Sequence, residues 1–143
     1  MKSGFSLIEI LVVLAIASIL ATLGLPAALK ARQRGLTGKV EATLASIEAA
    51  LVLYETDFGD YPPGSGTAGR LVKLLSEPVE SPRWKGPYFG YKKRDYREGE
   101  LIDPWGMPYR YHYPQSIHAN TPFLLYSCGP DRTERTPDDL GNW

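Results

Sequence analysis

One cysteine, Cys128, in 143 residues excludes an intramolecular disulfide in any compartment. Histidine is nearly as scarce, with only His112 and His118. A catalytic reading would have to recruit these two with the Cys128 thiol as base and nucleophile, yet no oxyanion or phosphate-binding signature accompanies them. The plainer reading places His112 on a strand among tyrosines and makes Cys128 a small buried residue. Net charge is also lacking: 16 basic residues balance 16 acidic ones, so the footprint of a nucleic-acid binder is absent. Proline is almost missing from the first third, where Pro26 stands alone before Tyr54 and the other eleven of the 12 follow it. Charge is absent altogether from Ile10 to Leu29, twenty residues that as a helix can cross about 30 Å of hydrocarbon.

Just ahead of that stretch, Glu9 is the one ionisable side chain between Phe5 and Leu29, behind a leader of Met1, Lys2, Ser3 and Gly4. A secretory signal peptide keeps its apolar stretch uncharged and ends it with a small-residue cleavage site. Here the small residue Gly4 comes first, so a cut after it would retain the helix. A carboxylate inside a membrane span costs at least a few kcal/mol and calls for a partner. The segment from Gly4 to Lys30, with Gly4, Phe5, Glu9 and Pro26 at matching positions, resembles the leader and N-terminal helix of type IV pilins and pseudopilins. The resemblance implies that a prepilin peptidase cuts after Gly4 and methylates the new amino terminus at Phe5. The α-amino group of Phe5, ordinarily titrating at about pH 7.7 to 8.0, would then be cationic. One helical turn separates it from Glu9, so self-pairing and pairing with a neighbouring subunit's amine are both open. The second would penalise a solitary Glu9 in lipid and so reward association. A plain anchor with a tolerated Glu near the interface is the alternative.

Gly24 and Pro26 weaken the far end of the span, since proline removes a helical hydrogen bond and glycine carries an entropic cost. A kink or locally melted turn is expected there. Lys30, Arg32, Arg34 and Lys39 follow the span, whereas only Lys2 and the initial amine precede it. Positive-inside bias would therefore place the C-terminal side in the cytoplasm. The resemblance implies the opposite orientation, and the leader match is the more specific signal. Beyond the span, Leu36, Val40, Leu44, Ile47, Leu51 and Tyr54 recur at steps of three and four, the apolar stripe of an amphipathic helix. Glu41, Glu48, Glu55, Asp57 and Asp60 follow the basic block without a base among them. Such blocks are poorly placed for pairing within one helix and well placed for staggered packing. Glu48 of one subunit could then approach Arg32 or Arg34 of another, with plain solvation as the other reading.

The remainder reads as a compact, loop-rich head. Residues 67–76 predict a short helix between Gly/Pro-rich turns. Tyr109 to Tyr113 and Pro122 to Ser127 predict two antiparallel strands, with Tyr109, Tyr111 and Tyr113 alternating to one face. Asp103, Pro104 and Gly106 are turn formers. Eleven aromatic residues between Trp84 and Tyr126 suffice for a small core. The stretches WKGPY (residues 84–88), DPWGMPYRYHYP (103–114) and YSCGPDRTERTPDDLGNW (126–143) are similar to the major pseudopilin family of type II secretion systems, the G-type subunit. Met107 and the long loop 59–69 depart from the family pattern.

Asp131, Asp138 and Asp139 lie in a terminal loop beside Pro and Gly. By themselves such residues usually cap turns, although hard carboxylate and carbonyl oxygens also suit calcium. The family resemblance implies calcium in this loop. Glu134, flanked by Arg132 and Arg135, is a weaker ligand candidate. The fold expected is α+β and pilin-like, divided into a leader at 1–4, a transmembrane and filament-core helix at 5–29, its amphipathic continuation at 30–57 and a head at 58–143. The expected function is that of a structural, non-enzymatic subunit of a periplasmic pseudopilus. It would be single-pass in the inner membrane with its head in the periplasm. Its partners would be further copies, minor pseudopilins, an assembly platform and the prepilin peptidase. A true type IV pilin is the nearest alternative, disfavoured by the lone cysteine. A monomeric anchored calcium-binding module is a more distant one.

Overall fold

The computed structural model describes residues 6–143, apart from the side chains at positions 21, 23 and 24. Helix α1 spans Leu7–Phe58, and helical backbone continues through Gly24 and Pro26. Of the kink or melted turn expected there, the melted turn is absent. Proline costs a helix about 3 kcal/mol, whereas melting a turn in apolar surroundings would orphan several backbone groups at several kcal/mol each. Continuity is the smaller penalty. The chain divides into two units, one ending at Leu36 and the other covering Thr37–Trp143. In the first, Leu7, Leu11, Leu14, Leu20 and Leu25 are 60 to 81 % exposed. A helix apolar on every side belongs in a membrane or among other helices, and by length and composition α1 can cross a bilayer.

The second unit has its own core. Val40, Leu44, Ile47 and Leu51 turn one stripe of α1 inward and are buried, in the spacing that the apolar pattern predicts. They meet a four-stranded antiparallel sheet of order β1-β4-β5-β6: β1 is Gly64–Thr67, β4 is Arg110–Tyr113, β5 is Leu124–Ser127 and β6 is Leu140–Gly141. A second, two-stranded ribbon pairs β2 (Tyr96–Arg97) with β3 (Glu100–Leu101). Successive strand residues point to opposite faces. Tyr109, Tyr111 and Leu125 accordingly join the α1 core, while Leu124, Tyr126 and Cys128 form a separate buried cluster. Helix α2, Gly69–Ser76, buries Leu71, Val72 and Leu75 in the α1 core.

Three elements are not predicted from sequence. Strand β1 has almost no β-forming residues, but Gly64 lies against the Tyr111 ring, where a Cβ would stand 2.7 Å from the ring's Cδ1. In the ribbon, Glu98 (φ 51°) and Gly99 (φ 86°) are both left-handed, the two-residue turn that matches strand twist. Strand β6 is only two residues long. The N-terminus of α2 is closed by tertiary contact: its cap residue Ala68 makes no side-chain cap bond, and Glu100 of β3 accepts from Gly69 N at 2.9 Å and Thr67 Oγ1 at 2.6 Å.

That contact leaves no room at Gly69, where a Cβ would sit 2.1 Å from the Gly99 carbonyl oxygen. Gly69→Ala is expected to destabilise the second unit by about 1–3 kcal/mol, an overpacking penalty, as measured by urea or thermal unfolding in detergent.

Candidate assembly and metal-binding sites

Glu9 lies in the first turn of α1, where its Oε2 accepts from Ser6 N at 3.4 Å. Ser-x-x-Glu is a helix-start signature, and this is its return half, so Glu9 has a local structural role that the sequence reading overlooked. Gly4 and Phe5, the predicted processing site, lie outside the described residues. Glu48 is half-buried on α1 and, among the described residues, forms no ion pair; burial raises its carboxyl pKa above the usual range. Arg32 and Arg34 belong to the first unit and are exposed.

At the end of α1, Asp57 is clasped from the head. Its Oδ1 meets Lys85 Nζ at 2.8 Å, and its Oδ2 accepts from the Tyr88 hydroxyl at 2.8 Å. The Tyr88 hydroxyl in turn accepts from Lys85 N at 2.9 Å. Lys85 and Tyr88 therefore hold the Asp57 carboxyl below its ordinary value. A second tie joins Lys39 Nζ to Asp95 at 2.8 Å, lowering the Asp95 carboxyl likewise.

The Asp103 turn leads toward the acidic loop. Asp103 is only 4 % exposed, and its Oδ1 accepts from Trp105 N (3.0 Å) and Met107 N (2.8 Å). Its Oδ2 accepts from Ser127 Oγ at 2.6 Å, and Ser127 Oγ accepts from Gly129 N at 3.2 Å. The sequence marks Asp103 as a turn former. Its bond to β5, across 24 residues, is a tertiary fact.

Beyond Gly129 the loop is folded on its own carboxylates. Asp138 Oδ2 accepts from Asp131 N (3.1 Å), Asp131 Oδ1 from Thr133 N (2.8 Å) and Asp139 Oδ2 from Arg135 N (2.8 Å). The Thr136 hydroxyl donates to Asp138 Oδ1 at 2.7 Å. These bonds, led by Thr136 and the Asp131 amide, lower the Asp138 carboxyl. The donor chemistry fits a hard cation: three carboxylates share one loop, and among the described residues none has a Lys or Arg partner. As placed, however, the carboxylates face loop amides, and among the described residues no three acidic, His or Cys side chains converge on one point. Glu134 is engaged elsewhere, paired with Arg110 and within 3.4 Å of the Tyr126 hydroxyl. The cation it meets comes from β4 and not from its neighbours Arg132 and Arg135.

The residues that an enzyme would need have separate partners. His112 Nδ1 lies 3.3 Å from Ser65 Oγ, and His118 stacks on Trp143 with ring centroids 4.8 Å apart. Cys128 is fully buried, and desolvation pushes its thiol pKa up, away from the thiolate.

A long N-terminal helix continuing into a small antiparallel head is the architecture of type IV pilin-like subunits. The family profile described as type II secretion system (T2SS), protein G matches residues 28–143, and that of the prokaryotic N-terminal methylation motif matches residues 1–25. The chain is 36 % identical to the type II secretion system core protein G of Pseudomonas aeruginosa, over 99 % of this chain and 95 % of that protein. It is 34 % identical to that of Klebsiella pneumoniae, over 99 % and 94 %. The crystal structure of the major pseudopilin from the type 2 secretion system of enterohaemorrhagic Escherichia coli matches with a TM-score of 0.52 and 27 % identity, covering 80 % of this chain and 88 % of that one. The chain belongs to the type II secretion system protein G family, whose members are structural subunits of secretion machinery.

The Asp57 clasp gives a signed pH dependence. Because the folded pKa lies below the unfolded value of about 3.9, its stabilisation is complete above that pH and lost as pH falls through the folded value. Asp57→Asn is therefore expected to be less stable than the parent at neutral pH and to lose less on acidification below about pH 4, read from urea midpoints across pH.

Proposed function

We propose that this chain is a pseudopilin: a structural subunit anchored in the inner membrane by α1 that polymerises, with its head in the periplasm, into a pseudopilus driving protein export. One observation carries this reading. An exposed helix, uncharged from Ile10 to Leu29, stands ahead of a second unit that completes its own core, over a length that matches the protein G relatives almost end to end. The exposed apolar surface has to be covered by lipid before assembly and by other helices after it. Catalysis has no place in this reading: the buried, raised Cys128 thiol and the separately engaged histidines are poor candidates for a nucleophile and base. Energy for extrusion then comes from partners, among them an assembly platform and minor pseudopilins, and maturation from a prepilin peptidase.

Within the reading, cleavage after Gly4 leaves Phe5 as a methylated terminus whose cationic amine can meet Glu9 of a neighbouring subunit. Pro26, retained in a continuous α1, is the weak point at which the helix could be drawn out on assembly. Glu48, without an ion pair among the described residues and partly desolvated, is suited to accept Arg32 or Arg34 of a second copy. Calcium would be held by Asp131, Asp138 and Asp139, supplying the positive charge that these carboxylates lack and bracing the loop.

N-terminal sequencing and mass spectrometry of the membrane-extracted chain are expected to find N-methylated Phe5 first. Glu9→Leu is expected to be cleaved normally yet to fail in filament formation by electron microscopy; undiminished polymerisation would refute the Glu9 pairing. Calcium at a hundred times its Kd should stabilise the parent by about 2.7 kcal/mol, with the gain abolished by chelator and by Asp138→Asn. Equal melting temperatures with and without chelator would refute the metal.

A further inference from the structure

The sheet face turned away from α1 carries a cavity of about 590 Å³, in the range of sites that bind small ligands or one or two side chains. Its floor is the second buried cluster, Leu124 and Tyr126, and its walls include His112, Ile117, His118 and Trp143. The rings form one connected surface. His112 lies parallel to Tyr126 with centroids 6.2 Å apart, Tyr126 meets Trp143 edge-on at 5.6 Å, and Trp143 stacks on His118. At the rim, large apolar surface remains in solvent: Ile117 is 67 % and Trp143 51 % exposed. None of these residues serves the α1 core, so their apolar exposure is unexplained by folding of the head.

The charges around this cavity are unequal in availability. Glu134 is paired with Arg110, and Asp139 accepts from Arg135 N. Arg135 also lines the cavity, and among the described residues its guanidinium has no carboxylate partner. Its backbone is left-handed, at φ 66°, a conformation uncommon for a side-chain-bearing residue and one that neither Gly nor Asn would resist. Glu134 is neutralised by its own ion pair, Asp139 keeps its charge but is turned to a loop amide, and the Arg135 guanidinium is the cation without a pair among the described residues.

We propose that this cavity is a docking site for a segment of a partner protein in which a carboxylate stands next to an apolar side chain. The apolar residue fills the space between Ile117 and Trp143, and the carboxylate takes a charge-assisted, two-pronged bond from Arg135. The location suits a partner outside the subunit's own packing, because the stripe of α1 that builds the head lies on the other face of the sheet. The site needs no filament, since every residue in it comes from one head.

The test uses the full chain in detergent micelles, labelled with 5-fluorotryptophan, with the Trp143 signal assigned from Trp143→Phe. The probe is the peptide acetyl-Leu-Glu-Leu-amide, with acetyl-Leu-Gln-Leu-amide as its uncharged counterpart. A saturable shift confined to Trp143, with Trp84 and Trp105 unmoved, is expected for the Glu peptide, and binding about tenfold weaker for the Gln peptide, the loss of one bond to a charged group. Arg135→Asn, which keeps the left-handed backbone, should reduce the Glu peptide to the affinity of the Gln peptide. Ile117→Ser should weaken both peptides equally. Absence of a shift, equal binding of the two peptides, indifference to Arg135→Asn, or equal movement of all three tryptophans would each overturn the proposal.

Discussion

The head is organised around a buried carboxylate. Removing an ionised Asp from water costs several kcal/mol unless donors replace the solvent. Asp103 is supplied with three of them, the amides of Trp105 and Met107 and the hydroxyl of Ser127. Two consequences follow from the geometry. The chain must reverse within 103–107, which returns Tyr109 N to the Leu101 carbonyl at 3.0 Å and aims Arg110 to Tyr113 along the sheet. The end of β5 must also lie beside that turn, and Ser127 Oγ passes the constraint on to Gly129 N, where the acidic loop begins. Turn, sheet and terminal loop thus depend on one side chain.

From that sheet the molecule acquires two unlike faces. One face, with Tyr109, Tyr111 and Leu125, is closed by α1 and α2. The other, with Leu124, Tyr126 and Cys128, is covered only in part by the returning C-terminal segment, so rings and an arginine stay accessible. Polar clasps at Lys39–Asp95 and Lys85–Asp57 fasten the head to α1 within the second unit. Their exposure makes each individually weak, and apolar burial of the α1 stripe carries most of the attachment. A division of labour results, in which the apolar first unit is available for membrane and neighbours while the head keeps its integrity alone.

Much of this was legible in the residues. The apolar run and the 3–4 spacing from Val40 to Leu51 are local patterns, and local patterns survive folding when burial agrees with them. The alternation of Tyr109 and Tyr111 was readable for the same reason. Gly64 to Thr67 was not, because its strand character comes from a ring stacked on Gly64 and from pairing with β4, neither of which leaves a mark in GSGT. Of the kink or melted turn expected at Pro26, melting does not occur, by a comparison of magnitudes: one lost hydrogen bond is a smaller penalty than several orphaned backbone groups. For the acidic loop, sequence identified the carboxylates, but their hydrogen-bond partners depend on loop closure, as does the Glu134 pairing with Arg110.

Sequence alone determined that the chain has an uncharged helix long enough for a membrane, a following amphipathic segment and a head without a disulfide, because composition and periodicity act through nearest neighbours and solvent. The tertiary structure alone decided that Glu100 caps α2, that Asp103 reaches Ser127, and that Arg135 lines an aromatic cavity while the adjacent Glu134 is paired with Arg110. Those contacts join residues far apart in the chain, and which donor meets which acceptor is settled only when the apolar core has closed and water has left the polar groups to find one another.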